Sequence, residues 1–366
     1  MNMLDQEAQN VAEIIDHLIT TPIFSGSSLA SRPVVLDLYQ AARAKFGKPL
    51  CLDATERILS GAEKSKTVVI TTGFIVPPWI EAETDGPVGS STLARSLNLA
   101  LDITPIIVTE KASVSKMKAM LEAVGFRVRD YEKTGKVPRR ASVIGFSTDK
   151  EQAGKEAEDI VSKIEPSSVI AIEKASPNRV GVFHSGVGVD VSPVSAKVDK
   201  LIEAAKTSGI PTIGVGDAGN EIGMGCIEDS VRKLLPTGTD CGCPCHEGVA
   251  SAVSTDSLIV AGTSNWGGPA VEALLSFHFK AKELLHDPET ELRMIKTAAS
   301  LGYIDPASGF ADPGVDAIPA SVHSSMIEIL NFVVSSRVSD SYFIRKYKEY
   351  TRDKKKLAKL IEEENG

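Results

Sequence analysis

Along the chain, short runs of aliphatic and β-branched residues alternate with stretches in which apolar residues recur every three or four positions. The runs are TVVITTGF (67–74), ITPIIVT (103–109), SVIGFST (142–148), SSVIAIEKA (167–175), IPTIGVG (210–216) and DSLIVAG (256–262), and each predicts a strand. Between them, GSSTLARSLNLALD carries Leu93, Leu97 and Leu101 at four-residue spacing. SAKVDKLIEAAKTSG places Val198, Leu201, Ile202 and Ala205 on one helical face, with Gly209 as the stop signal. Strand alternating with helix predicts an α/β fold, a mainly parallel sheet with helices on both faces and its ligand site at the carboxyl ends of the strands.

Both ends of the chain read as helical additions. Val11, Ile14, Ile15, Leu18 and Ile19 follow a helical period that breaks at Thr21-Pro22. From about residue 288 onward the pattern is helical with no clear new strand. The expected division is an α/β catalytic domain with its N-terminal helical segment over 1–285 and a helical C-terminal extension over 286–366, open to packing on the same domain. At 366 residues the chain is long for one core, and length alone suggests about two domains.

Composition narrows the partners. A net charge of −8 and only 5% aromatic residues argue against nucleic acid, whose binders need clustered basic groups or stacking rings. The basic run Arg352-Asp353-Lys354-Lys355-Lys356 reads as a solvated helix face. No apolar run reaches the roughly 18 residues that a membrane span requires, and the opening stretch has neither the basic start nor the apolar core of a secretory leader. Five cysteines, an odd number with three crowded together, fit a reducing compartment, which places the protein in the cytoplasm. A small-molecule ligand is the expected partner, with no nucleic acid and no membrane, and an oligomer is compatible with all of this.

Candidate chemistry gathers at glycine-containing turns after predicted strands. ETDGPVGSSTLA brings Glu83, Thr84, Asp85 and Gly86 to a turn whose Ser90, Ser91 or Thr92 would cap a helix, leaving free N–H groups for an anion. PTIGVGDAGNEIGMG has the spacing Gly214-x-Gly216-x-x-Gly219 of a dinucleotide-binding loop. Yet Asp217 would face a pyrophosphate with like charge, and no strand leads to Asp240, the acid that would hold the ribose. A turn bearing Asp217, Asn220 and Glu221 is better suited to gripping a cation and moving protons, its two carboxylates driven to different pKa values near a helix N-terminus. Simple capping of that helix by Asp217 and Asn220 is the plainer alternative. VAGTSNWGGPAVEALL adds Asn265 and Gly267 at a third junction, and AIEKA adds Glu173 and Lys174, an ion pair or a ligand for a substrate carboxylate. His184 follows closely enough to reach the same rim, whereas His17, His278 and His286 fall on predicted helices. CGCPCHEG carries Cys241, Cys243, Cys245 and His246 in a constrained loop, a donor set for zinc or another soft-ligand metal, although adjacent Cys245 and His246 share one tetrahedral ion poorly.

The chain resembles the D-glutamate cyclase family from about Thr71 to Leu275, through TGF (72–74), ETDGPVG (83–89), AIEKA (171–175), IGVGDAGNEIGMG (213–225) and AGTSNWGG (261–268). It departs from the family pattern at Ala218 and Val88, where glycine and proline are usual. The resemblance implies a lyase that dehydrates D-glutamate intramolecularly to 5-oxo-D-proline, with no cofactor required. It implies that Asp217, Glu221 and Asn220 carry the chemistry. Substrate binding would fall to Glu83, Thr84, Asp85 and Gly86 with Glu173, Lys174, His184, Asn265 and Gly267. Two other readings stay open: a nucleotide-dependent α/β enzyme using the Gly214 turn, and a non-catalytic module that binds an acidic amino acid or a metal.

Overall fold

The computed structural model describes residues 6–23, 34–131 and 139–338, with isolated positions beyond 350. Its strands in chain order are β1 (Thr67–Thr72), β2 (Ile75–Val76), β3 (Glu81–Ala82), β4 (Thr104–Glu110), β5 (Arg127–Val128), β6 (Arg140–Phe146), β7 (Val169–Ile172), β8 (Thr212–Gly216), β9 (Ser257–Val260), β10 (Gly314–Val315) and β11 (Ile318–Pro319). The helices that concern the site and core are α1 (Gln6–Ile19), α2 (Val35–Phe46), α3 (Leu50–Ala62), α4 (Pro87–Leu101), α5 (Val114–Ala123), α6 (Lys150–Ile164), α7 (Asp199–Thr207), α8 (Glu228–Leu234), α9 (Gly267–Phe279), α10 (Pro288–Ser300) and α11 (Ala320–Val338). All six predicted strands are present. With the short strand β5, which was not expected, they form one seven-stranded parallel sheet in the order β5-β6-β4-β1-β7-β8-β9.

Alternation along each strand divides the core between the two faces of this sheet. Val68, Ile70, Ile107, Ile170 and Ile172 join the apolar cluster under α1, α3, α4, α5, α9, α10 and α11. Val69, Ile106, Val108, Val169 and Ala171 pack against α6 and α7 on the other face. The cluster on the first face runs from Ala8 in α1 to Val334 in α11, so the helical extension, as far as residue 338, packs on the same core as the sheet. It also contains a two-stranded hairpin, β10 with β11, where no strand was expected. Three of the five residues of the charged C-terminal run 352–356 lie outside the described residues.

The strand order reverses at β1. The chain first fills one side of β1, where β4, β6 and β5 lie in that spatial order with β6 inserted between β4 and the earlier β5, then returns to the other side of β1 with β7, β8 and β9. The carboxyl ends of β1 and β7 therefore flank the crevice where open α/β sheets bind ligands.

His286 sits not in a helix but just before α10, fully buried between two carboxylates. Its Nδ1 lies 2.7 Å from Glu272 and its Nε2 3.0 Å from Glu291. Burial alone would push the imidazole down, but the two carboxylates overcome it and hold its pKa at about 10. Because this value lies above the unfolded one, the stabilisation is complete below about pH 6.5. It is lost as pH rises to about 10. His286→Gln is expected to cost about 3–5 kcal/mol at neutral pH by leaving buried charge uncompensated. It should also flatten the alkaline fall in melting temperature expected of the unaltered protein, as read by thermal denaturation across pH.

Candidate active site

Three chain segments converge at the switch point. After β1 the chain passes through the β2–β3 hairpin to Thr84, whose N–H donates to the Ile304 carbonyl (2.9 Å) and whose hydroxyl donates to the Gly314 carbonyl (2.8 Å). Asp85 and Gly86 follow. Gly86 has φ +90°, and a Cβ there would lie 2.9 Å from Glu173 Cβ and 3.0 Å from the Ile172 carbonyl, so only glycine lets the start of α4 seat against the end of β7. Past β7, Glu173 itself adopts φ +44°, a left-handed conformation that costs a non-glycine residue energy and is held by its surroundings.

Past β8 the turn over 217–223 folds back on its own strand. A Cβ on Gly214 would meet the Ile222 carbonyl at 2.6 Å and Gly223 Cα at 2.7 Å, so Gly214 serves backbone-on-backbone packing. No helix begins at this turn; α8 starts only at Glu228. Neither the nucleotide loop nor the helix cap expected of Asp217 and Asn220 is therefore formed. The N–H groups of Ala218 and Gly219, which a pyrophosphate would need, already donate to Glu221 Oε1 (3.0 Å) and Oε2 (2.8 Å).

The site that results is a nest of carboxylates. Asp85 accepts from three backbone donors: Gly86 N (2.9 Å) and Asn265 N (2.6 Å) on Oδ1, and Ser264 N (2.9 Å) on Oδ2. Ser264 N is shared with Asp217 Oδ2 at 3.1 Å, and Ser264 Oγ donates to Glu173 Oε2 at 2.7 Å. Burial pushes the carboxyls of Glu83, Glu173, Asp217 and Asp316 well above the usual range. Glu221 is also raised by burial, against the pull of its backbone donors. Beyond burial, the charges that push these groups up are chiefly one another's and that of Asp85. Asp85, Asp217 and Asp316 bring oxygens within 4.8 Å of one another, as do Glu173, Asp217 and Glu221. Two such triads sharing Asp217 suit an ammonium or a hard divalent cation.

Several expected residues are placed differently. Lys174 points away from the nest: its ammonium is fully buried, donates to the Gly73 carbonyl at 2.8 Å and pairs with Glu110. It is thus an interstrand ion pair and not a rim cation. Asn265 Oδ1 accepts from Gly86 N (2.8 Å) and Gly89 N (2.9 Å), so the start of α4 is capped by a protein group instead of standing open to an anion. Ser90, Ser91 and Thr92 lie inside α4 and do not cap it; the Ser91 and Thr92 hydroxyls donate back to the carbonyls of Pro87 and Gly89. Gly267 opens α9, and a side chain there would run into Val215. The Asn220 amide donates to the His184 carbonyl (2.9 Å), and the His184 ring turns toward the cysteine loop. His246, expected beside the three thiols, is exposed and pairs with Asp240 at 3.3 Å; His184 takes its place.

Sequence reasoning missed Asp316 and Ser264. Asp316, at φ +53°, comes from the Gly- and Pro-rich stretch SGFADPGVDAIP, whose composition breaks the helical pattern and was the available signal. A surface groove lies at the opposite, amino-terminal end of the strands, between α6 and α7, and its rim is solvated charge such as Glu158, Lys200 and Glu203. The chemistry is not there.

The model of the family described as D-glutamate cyclase-like, C-terminal, matches residues 34–331. This extends well beyond the 71–275 stretch that carried the resemblance and includes Asp316. The chain is also similar to D-glutamate cyclase, mitochondrial, of Homo sapiens, at 28% identity over 241 residues. That alignment covers 63% of this chain and 36% of the human protein, so the chain spans about a third of its relative. Among the described residues, no helix is long and apolar enough to cross a membrane.

Proposed function

Because the chain belongs to the D-glutamate cyclase-like, C-terminal family, we propose that it is a carbon–oxygen lyase that dehydrates D-glutamate to 5-oxo-D-proline. The observation that supports this most directly is the carboxylate nest around half-buried Asp217, built at the switch point from three strand ends.

Ring closure asks three things of a site. The substrate ammonium must lose a proton, its nitrogen must be held about 3–3.5 Å from Cδ, and the departing oxygen must leave as water. Asp217, central to both triads, is placed to grip the ammonium and take its proton. A carboxylate with a raised pKa is a stronger base once ionised. Glu173, its pKa pushed well above the ordinary carboxyl range by burial and then by Glu221 and Asp85, is our candidate for the acid that protonates the departing oxygen. Protonated carboxyls also explain how an acidic nest accepts a substrate with two carboxylates of its own, since a carboxylic acid donates a hydrogen bond where a carboxylate repels. Glu83 and Asp316, both raised well above their ordinary values, would serve that purpose. All five cysteines are free, which fits a reducing interior such as the cytoplasm.

A second reading has support from the same triads: a divalent cation held by Asp85, Asp217 and Asp316 would bridge the nest to the substrate carboxylates. One assay addresses both. Purified protein is incubated with D- or L-glutamate, with and without added Mg²⁺ or Mn²⁺, while loss of primary amine and appearance of 5-oxoproline are followed. D-glutamate should be consumed with matching release of 5-oxoproline. Turnover of neither enantiomer, with or without metal, would overturn the cyclase reading.

A further inference from the structure

We propose that His184 Nε2 and the sulfurs of Cys241, Cys243 and Cys245 hold a tetrahedral zinc ion that braces the turn carrying Asp217 and Glu221. The four atoms converge from two chain segments. Cys241 Sγ lies 3.1 Å from Cys243 Sγ and 3.4 Å from Cys245 Sγ, and Cys243 and Cys245 are 3.4 Å apart. His184 Nε2 closes the fourth corner at 3.2 Å from Cys243 Sγ and 3.5 Å from Cys245 Sγ. Tetrahedral zinc, with Zn–S of about 2.3 Å and Zn–N of about 2.0–2.1 Å, implies edges of roughly 3.5–3.8 Å. Five of the six edges match this or are slightly contracted, and His184 Nε2 and Cys241 Sγ lie within 4.8 Å.

Disulfide chemistry does not account for this convergence, because one bridge would leave a third thiol over, and none is formed. N–H groups are aimed at the sulfurs, Cys245 N at Cys243 Sγ and Asn178 Nδ2 at Cys245 Sγ, both at 3.5 Å, as donors around metal thiolates are. Asn178 is itself locked, donating to the Gly248 carbonyl (2.8 Å) and accepting from Val180 N and Val182 N. The donor set selects a soft or borderline ion over magnesium or calcium, and four protein ligands leave no open position, which marks a structural site. Its reach toward the carboxylate nest is short: the His184 carbonyl accepts from Asn220 Nδ2 at 2.9 Å, and Asn220 precedes Glu221.

The test reads metal, not turnover, so it stands or falls apart from the cyclase reading. The full chain, purified under reducing conditions, is analysed for bound metal by mass spectrometry. It is then stripped with a chelator and titrated with ZnCl₂ or CoCl₂. We expect one zinc per chain, and on cobalt titration the ligand-field and thiolate charge-transfer absorption of a tetrahedral thiolate site. Cys243→Ser and His184→Ala should lose the ion, and His246→Ala should retain it. Because a ligand variant that misfolds also loses metal, the decisive arm is the unaltered protein. If it carries no zinc and takes up neither Zn²⁺ nor Co²⁺, the proposal fails. It fails equally if His246→Ala loses the ion while His184→Ala keeps it.

Discussion

Asp217→Asn is expected to lower kcat/KM for D-glutamate cyclisation about 10²- to 10⁴-fold, the usual contribution of one positioned proton-transfer group. The substitution is close to isosteric, and the remaining amide oxygen still accepts from Ser264 N, the bond now 3.1 Å long. Removing one ionisable group from a nest of like groups relieves repulsion, so melting temperature should hold or rise. That pairing of lost turnover with retained stability separates a reacting group from a merely structural one. Full turnover by the variant would mean that another carboxylate takes the proton, with Glu173 next in line through its contact with Ser264.

Lys174→Met should show the reverse pattern. Glu110 would be left buried with only the Ala196 N–H (3.2 Å) and the Thr109 hydroxyl (3.4 Å) as partners. Breaking one side of a buried ion pair costs about 3–5 kcal/mol, to be read by denaturant titration. The double variant Lys174→Met with Glu110→Leu should recover most of that loss, because the uncompensated charge goes with its partner. A rise in KM with unchanged stability would instead return Lys174 to the substrate-binding role that its place in AIEKA suggested.

Adjacent Glu173 and Lys174 show where a linear reading stops. Both stand at the end of β7, but successive side chains leave a strand on opposite sides, and a left-handed Glu173 redirects the chain again. Which of the two meets the site depends on what lies across the sheet. Glu110 at the end of β4 claims the lysine, and Ser264 before α9 claims the glutamate. The same holds for the histidines. His246 is the sequence neighbour of three cysteines, but a residue adjacent to one ligand seldom shares its ion; His184, far along the chain, has the freedom to arrive from across the loop.

What the sequence by itself determined is the layer structure: short apolar runs rich in β-branched residues and bounded by turn signals fit strands of a covered sheet, and the helical periods between them supply the cover. It also determined which turns bear acids, and that Gly214, Gly216 and Gly219 were ill placed for a phosphate beside Asp217. Only the tertiary structure decided the strand order that opens the crevice at β1 and β7, since parallel crossovers pair strands distant in sequence. It also brought in Asp316 from a hairpin of two-residue strands, too short for any period to reveal. The elevated pKa values belong to the same level, because burial and the mutual approach of carboxylates exist only once the chain is folded.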